Sequence, residues 1–220
     1  ADFHEPLVEV IKGFHNMRWR FQQWDESVAR NAAGRVDSCL EEIEWIESRR
    51  KEMLDFATLI ENGVIPCRVT HNDTKISNIL FDAKTKEVLC AIDLDTVMSA
   101  SVLNDVGDAL RCYTNTGAED AQDLSTVSMS LEMFTAYIRG YLSEMGSSLC
   151  PAELDNLAFS GRYITFEQVL RFLMDYLDGD TYYKTKYPEH NLVRARAQYK
   201  LLQSMEAQFP QMCEIVAALR

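Results

Sequence analysis

The sequence predicts a mainly α-helical protein interrupted by short β-hairpins. Three observations predict it. Apolar residues recur at helical spacing over 36–62, 124–142 and 151–177. Two short apolar runs, Ile79–Phe81 and Val88–Ile92, flank a polar turn at 82–86. Gly63, Pro151 and Gly179 fall at the edges of these segments, where helices start and stop.

Residues 1–35 read as irregular. The stretch GFHNMRWRFQQWDE is aromatic and charged without a clean period, so a packed connector is expected. Residues 36–62 read as one long helix with a stripe of Val36, Leu40, Ile43, Ile46, Met53, Ala57 and Ile60. The stripe has a gap at Arg49 and Arg50, and Asn62-Gly63 supplies the stop. Pro66 opens an extended piece, Cys67–Thr70, and the hairpin follows. After Asp95 the chain loops, and Asp105–Tyr113 reads as a short helix. Within 124–142, Val127, Leu131, Phe134, Ile138 and Tyr141 share a face. Pro151 suits a first helical position, and the helix it opens runs to Leu177. Its stripe is Leu154, Leu157, Gly161, Ile164, Gln168, Phe172 and Tyr176. A loop over 180–190 leads to a last helix carrying Leu192, Leu201, Leu202 and Met205, which Pro210 breaks or restarts.

Composition narrows the class. With 220 residues and 47% apolar content, the chain can bury one core, alone or with a satellite subdomain. No uninterrupted apolar run approaches the length of a membrane span. The start, ADFHEPLVEV, lacks the basic and apolar regions of a signal peptide. A cytoplasmic protein is expected. None of the six cysteines forms a CxxC or a zinc-spaced pair, so reduced, mostly buried thiols are expected. The balance of 22 basic against 34 acidic residues, a net −12, argues against nucleic acid and anionic membranes as partners. A phosphorylated substrate would need a divalent cation to screen it.

The chemistry-bearing segment runs Val-Thr-His71-Asn-Asp73-Thr-Lys75-Ile-Ser-Asn78, an H-x-D-x(4)-N pattern. A strand ending in Asp93, with Asp95 just beyond, follows it. Asp73, early in the loop, can face an acceptor hydroxyl. Asn78 can offer its amide oxygen to a metal without adding charge. The hairpin returns the chain so that Asp93 can supply a second, anionic ligand. Oxygen donors of this kind suit a hard divalent cation. Each residue taken singly has a plainer role. Asp73 and Asn78 are common turn residues, and His71 suits a structural brace within the loop. Lys75 suits either a phosphate contact or a solvated loop lysine. Only the joint spacing points to phosphoryl transfer.

Seven segments carry a family resemblance over nearly the full length: GFHNMRWRF, RVTHNDTKISNILFD, AIDLDTVM, NDVGDALR, AEDAQDLS, RFLMDYLDGDTYYK and HNLVRARAQYKLLQSME. The chain resembles the aminoglycoside/choline kinase-like phosphotransferases and, more narrowly, the N-acetylhexosamine 1-kinases. The resemblance implies the C-terminal lobe of a protein-kinase-like fold. It implies transfer of phosphate from ATP, with Mg²⁺, to the anomeric hydroxyl of N-acetylglucosamine or N-acetylgalactosamine. Asp73 takes the catalytic-base position, Asn78 and Asp93 the magnesium positions, and Asp95 that of a further acid near the metal. Arg171 and Tyr182 take the sugar-holding positions. Asp105 and Asp108, like His71, take positions that brace the catalytic loop. On their own residues, Arg171 suits a surface ion pair as well, and Tyr182 or Tyr183 suits core packing.

The implied organisation is a connector over 1–35 and a catalytic lobe over 36–220. The lobe holds the catalytic loop 71–78, the metal loop 92–98 and acceptor-side helices over 124–220. The smaller β-rich lobe of the family, with its Gly-rich turn and ATP-contacting lysine, has no counterpart in these residues; Gly13 and Gly34 stand isolated. A fragment of a longer enzyme, weakly active alone, is therefore expected. Two alternatives stay open. One is a kinase of another small acceptor such as choline, homoserine, methylthioribose or an aminoglycoside; Asp175, Asp178 and Asp180 would suit a cationic one. The other is a non-catalytic kinase-like binding module.

Overall fold

One helix, α6 (Pro151–Leu177), is the element on which the rest of the chain is organised. In the computed structural model, which describes Glu5 and residues 7–220, it runs 27 residues and is buried around most of its circumference. Such a helix is a core element rather than a surface amphipath. Its start is fixed by Pro151 and by Glu153, whose carboxylate accepts the Cys150 N–H at 2.7 Å. Helices α1 (Met17–Arg30), α4 (Val102–Tyr113) and α7 (His190–Ala207) pack directly on it.

The α4–α6 crossing is close because both helices carry glycine there. A Cβ on Gly107 would lie 2.4 Å from the Ser160 carbonyl oxygen, and one on Gly161 would touch the Leu110 side chain at 3.2 Å. The approach carries Asp105, on the first turn of α4, to the loop over 71–78.

Residues 17–30 form a helix, which corrects the irregular connector expected for this stretch. Asn16 caps it by accepting the Trp19 N–H, and Asn31 closes it in the left-handed region at φ 44°. Met17, Phe21 and Trp24 are buried at helical spacing, but the arginines and glutamines between them hide the stripe. The Trp24 indole donates to Glu47 at 2.8 Å and the Ser27 hydroxyl to Asp178 at 2.7 Å, so α1 belongs to the helical body.

The single helix expected over 36–62 is also corrected. It is a one-turn 3-10 segment, Val36–Ser38, then α2 (Leu40–Glu47) and α3 (Arg50–Glu61). The break falls at the gap in the apolar stripe. There Arg49 reaches Glu206 on α7 at 2.6 and 2.8 Å, and Arg50 reaches Asp25 on α1.

Two small antiparallel sheets follow. Strand β1 (Arg68–Thr70) pairs with β4 (Met98–Ala100), and β2 (Ile79–Phe81) pairs with β3 (Val88–Ala91). At three residues, β4 is too short for its period to show in the sequence. Ser101 caps α4, which starts at Val102, three residues before the expected Asp105. Helix α5 (Leu131–Met145) starts at Leu131; residues 124–126 make only a 3-10 turn. Pro210 restarts the chain as α8 (Phe209–Leu219). The cysteines are free, but Cys67, Cys90 and Cys213 are exposed and only Cys39 is fully buried, against the expectation of mostly buried thiols. No helix among the described residues is long and apolar enough to cross a membrane.

Candidate active site

The loop over 71–78 hangs from α4. The Asp105 carboxylate accepts the backbone N–H groups of His71 at 2.9 Å and Asn72 at 2.6 Å. The Thr74 hydroxyl donates to the Asp105 carbonyl at 2.7 Å, and the Tyr113 hydroxyl donates to the Thr74 carbonyl at 2.6 Å. Burial raises the Asp105 carboxyl above its ordinary value, and the two N–H groups pull the other way. Asn72 itself sits at φ 65°, a left-handed conformation that Asn tolerates at a cost of about 1–3 kcal/mol. Its side chain offsets this by donating to the carbonyls of Thr70 (3.2 Å) and Thr96 (3.0 Å) and accepting the Thr70 hydroxyl (3.0 Å).

Asp73 follows that turn. Its carboxylate accepts Lys75 Nζ at 2.5 Å and Asn78 Nδ2 at 2.9 Å. The same Asn78 nitrogen donates to the Asp73 carbonyl at 2.8 Å. The amide is thereby oriented, with both N–H groups used and Oδ1 free to accept.

The hairpin then returns the chain. Ile92 N–H donates to the Asn78 carbonyl at 2.9 Å. His71 Nε2 lies 3.0 Å from the Ile92 carbonyl, so that nitrogen carries the proton and donates. Asp93 turns at φ 63°, and its Oδ2 lies 3.8 Å from Lys75 Nζ. One ammonium therefore bridges the carboxylates of residues 73 and 93 and holds them on the same side of the loop. Burial pulls the Lys75 ammonium down, yet Asp73 and Asp93 outweigh it and leave it raised.

Two expected residues are not drawn into this cluster. Asp95 is exposed in the turn Leu94–Thr96 and makes no hydrogen bond or ion pair among the described residues. Asp108 is buried and accepts both Nε and Nη2 of Arg111, at 3.1 and 2.8 Å, with its second oxygen unpartnered. It pairs with Arg111 one turn further along α4 itself and makes no hydrogen bond to the 71–78 loop among the described residues.

No three His, Cys, Asp or Glu side chains converge as a metal cage among the described residues. That does not conflict with magnesium, which is typically held by one or two carboxylates together with substrate phosphates. The free Asn78 Oδ1 and the half-exposed Asp93 carboxylate are all-oxygen donors beside Asp73 and fit such a site.

Arg171 and Tyr182 line a separate cavity of about 330 Å³, with Phe14, Trp19, Arg20 and Tyr183 among its walls. The Arg171 guanidinium lies 5.6 Å from the ring centres of Phe14 and Tyr183 and 6.0 Å from that of Tyr182. Tyr182 is exposed at the rim, while the Tyr183 hydroxyl is buried without a partner and pushed up to about 12 by that burial. Among the described residues, no hydrogen bond or ion pair joins Arg171 or Tyr182 to Asp73. The acidic stretch expected to suit a cation is already committed. Asp175 accepts the N–H groups of Thr181, Tyr182 and Tyr183, Asp178 binds Ser27 and Arg30, and Asp180 binds Arg35 and Asn191.

Four residues that hold the loop were not legible in the sequence: Asn72, Thr96, Tyr113 and His15. Only Asn72 left a signal, as a residue type that tolerates positive φ. Thr96 donates to the His71 carbonyl at 2.6 Å. His15 bridges Glu167 and the Asn72 carbonyl.

A model of the phosphotransferase enzyme family, APH, matches residues 1–141. The match spans the loops over 71–78 and 92–98 and α4, and stops before α6, Arg171 and Tyr182. With more than half of its length matched and the loop geometry in place, the chain belongs to this family of aminoglycoside/choline kinase-like phosphotransferases.

Proposed function

We propose that the chain is the C-terminal, acceptor-side lobe of an ATP- and Mg²⁺-dependent kinase acting on the anomeric hydroxyl of N-acetylglucosamine or N-acetylgalactosamine. The observation that carries the kinase reading is the gathering of Asp73, Asn78 and Asp93 around Lys75. Asp73 is partly open to solvent and fixed by two donors, so an acceptor hydroxyl can reach it and yield its proton. Lys75 is charged and stands between Asp73 and Asp93, where its ammonium could contact a phosphate. Asn78 Oδ1 and Asp93 would hold Mg²⁺, which supplies charge neutralisation on the ATP phosphates.

The lobe assignment is supported by exposed apolar side chains on the hairpin beside the site. Leu80, Phe81, Val88 and Leu89 are all at least 43% exposed, which is surface a nucleotide-covering lobe would bury. The sugar reading is supported by the aromatic-walled cavity with two guanidiniums. Its volume suits one hexosamine, its rings can stack on a sugar face, and its arginines can donate to hydroxyls and an acetamide carbonyl. The commitment of Asp175, Asp178 and Asp180 speaks against a cationic acceptor.

The test is phosphate transfer from labelled ATP to a panel of acceptors, in the full-length protein and in its Asp73→Asn variant. Transfer to N-acetylhexosamines is expected to fall about 10²–10⁴-fold in the variant while sugar binding and folding persist. Phosphate appearing on choline but not on N-acetylglucosamine would overturn the sugar reading. Unchanged transfer in Asp73→Asn would overturn the base.

A further inference from the structure

His15 lies on the segment before α1, far in sequence from both of the groups it touches. Its Nδ1 is 2.8 Å from Glu167 Oε2 on α6, and its Nε2 is 3.1 Å from the Asn72 carbonyl in the catalytic loop. Both partners only accept. A neutral imidazole has one N–H and one lone pair, so it would set that lone pair against an oxygen. The ring is 8% exposed, which leaves little room for water to correct the mismatch. A doubly protonated ring satisfies both sides.

The charged groups around the ring agree. From α6, Glu167 favours the cation and Arg171 opposes it; from α1, Arg20 lies 3.4 Å from Glu167; from α4, Asp105 adds negative charge. Burial favours the neutral ring, but Glu167 outweighs it, and His15 is raised above its ordinary 6.5.

We propose that His15, held as an imidazolium between Glu167 and the Asn72 carbonyl, is a positioning residue that sets Asp73 and ties it to the cavity lined by Arg171. The Asn72 carbonyl belongs to the peptide immediately before Asp73, at the residue held at φ 65°. A proton on Nε2 fixes that peptide plane, and with it the direction in which the Asp73 backbone leaves the turn. Glu167 lies one helical turn before Arg171 on α6. The same carboxylate therefore holds the ring and stands beside the guanidinium of the cavity. Loss of the ring proton would remove the only donor recorded to the Asn72 carbonyl among the described residues.

Two measurements test this, and only the second rests on the kinase reading. In ¹⁵N-labelled protein, both ring nitrogens of His15, assigned by their loss in His15→Gln, are expected to be mostly protonated at pH 6.5. The Asp73 amide resonance is expected to titrate with the same midpoint, above 6.5. A neutral tautomer predominating at pH 6.5, or an Asp73 amide indifferent to that titration, would overturn the proposal whatever the acceptor turns out to be. In the kinetic measurement, kcat is expected to decline on the basic side as His15 loses its proton. His15→Gln is expected to lower kcat about tenfold, leave the acceptor KM within about twofold, and abolish that limb. Glu167→Gln should move the limb to lower pH, because the charge that holds the proton is gone. A basic limb unchanged in both variants would overturn the positioning role.

Discussion

The Tyr113 hydroxyl isolates the worth of a single loop tether. It donates to the Thr74 carbonyl at 2.6 Å, while its ring packs edge-on against Tyr137 at 5.7 Å. Tyr113→Phe keeps the ring and removes only the tether. A loss of about 1 kcal/mol in unfolding free energy is expected, read by urea denaturation. A severalfold fall in kcat with little change in acceptor KM should accompany it, because the bond lies one residue from Asp73. A kcat equal to that of the parent would show that the remaining tethers, Asp105 among them, hold this stretch without Tyr113.

Glycine placement decides how α4 reaches the loop. Gly107→Ala would put a Cβ 2.4 Å from a backbone oxygen, which cannot rotate away, whereas the Gly161→Ala Cβ meets the Leu110 side chain at 3.2 Å. Gly107→Ala is therefore expected to cost about 1–3 kcal/mol and to weaken activity, since separating α4 from α6 shifts Asp105 relative to the catalytic loop. Gly161→Ala should cost less, because Leu110 can adjust. Paired denaturation curves of the two variants check the order. Equal stability losses would mean that the helices slide apart without resistance.

Over the whole molecule, ion pairs between distant segments set a pH window for stability. Glu167 is held down at about 2 despite burial, chiefly by His15 and then Arg20, against an ordinary 4.5. A lowered carboxyl contributes stability that is present above its unfolded value and lost as pH falls towards 2. His15 is raised, so its contribution is full below 6.5 and lost as pH rises through the higher folded value. The pair is expected to contribute most between about pH 4.5 and 6.5. Melting temperature measured against pH should show that plateau in the parent and flatten in Glu167→Gln. A melting temperature that varies identically with pH in both would remove the pair from the account.

The sequence by itself determined what is written at short range. The 3.6-residue stripe and flanking Pro151 and Gly179 specified α6, and two apolar runs around a polar turn specified the β2–β3 hairpin. The spacing of His71, Asp73 and Asn78 marked the candidate site because those residues share one loop, while the partners that fix its geometry, Asp105, Thr96 and His15, lie far off in sequence. Only the tertiary structure decided what long-range contact governs. It made a helix of 17–30, split 36–62, committed Asp175, Asp178 and Asp180 to internal partners, and set His15 against Glu167 across 152 residues. Periodicity reports which face of an element is apolar, but not which distant charge that face will meet. Such pairings form only when helices close around one core, where an unpartnered charge costs several kcal/mol and each must find its partner.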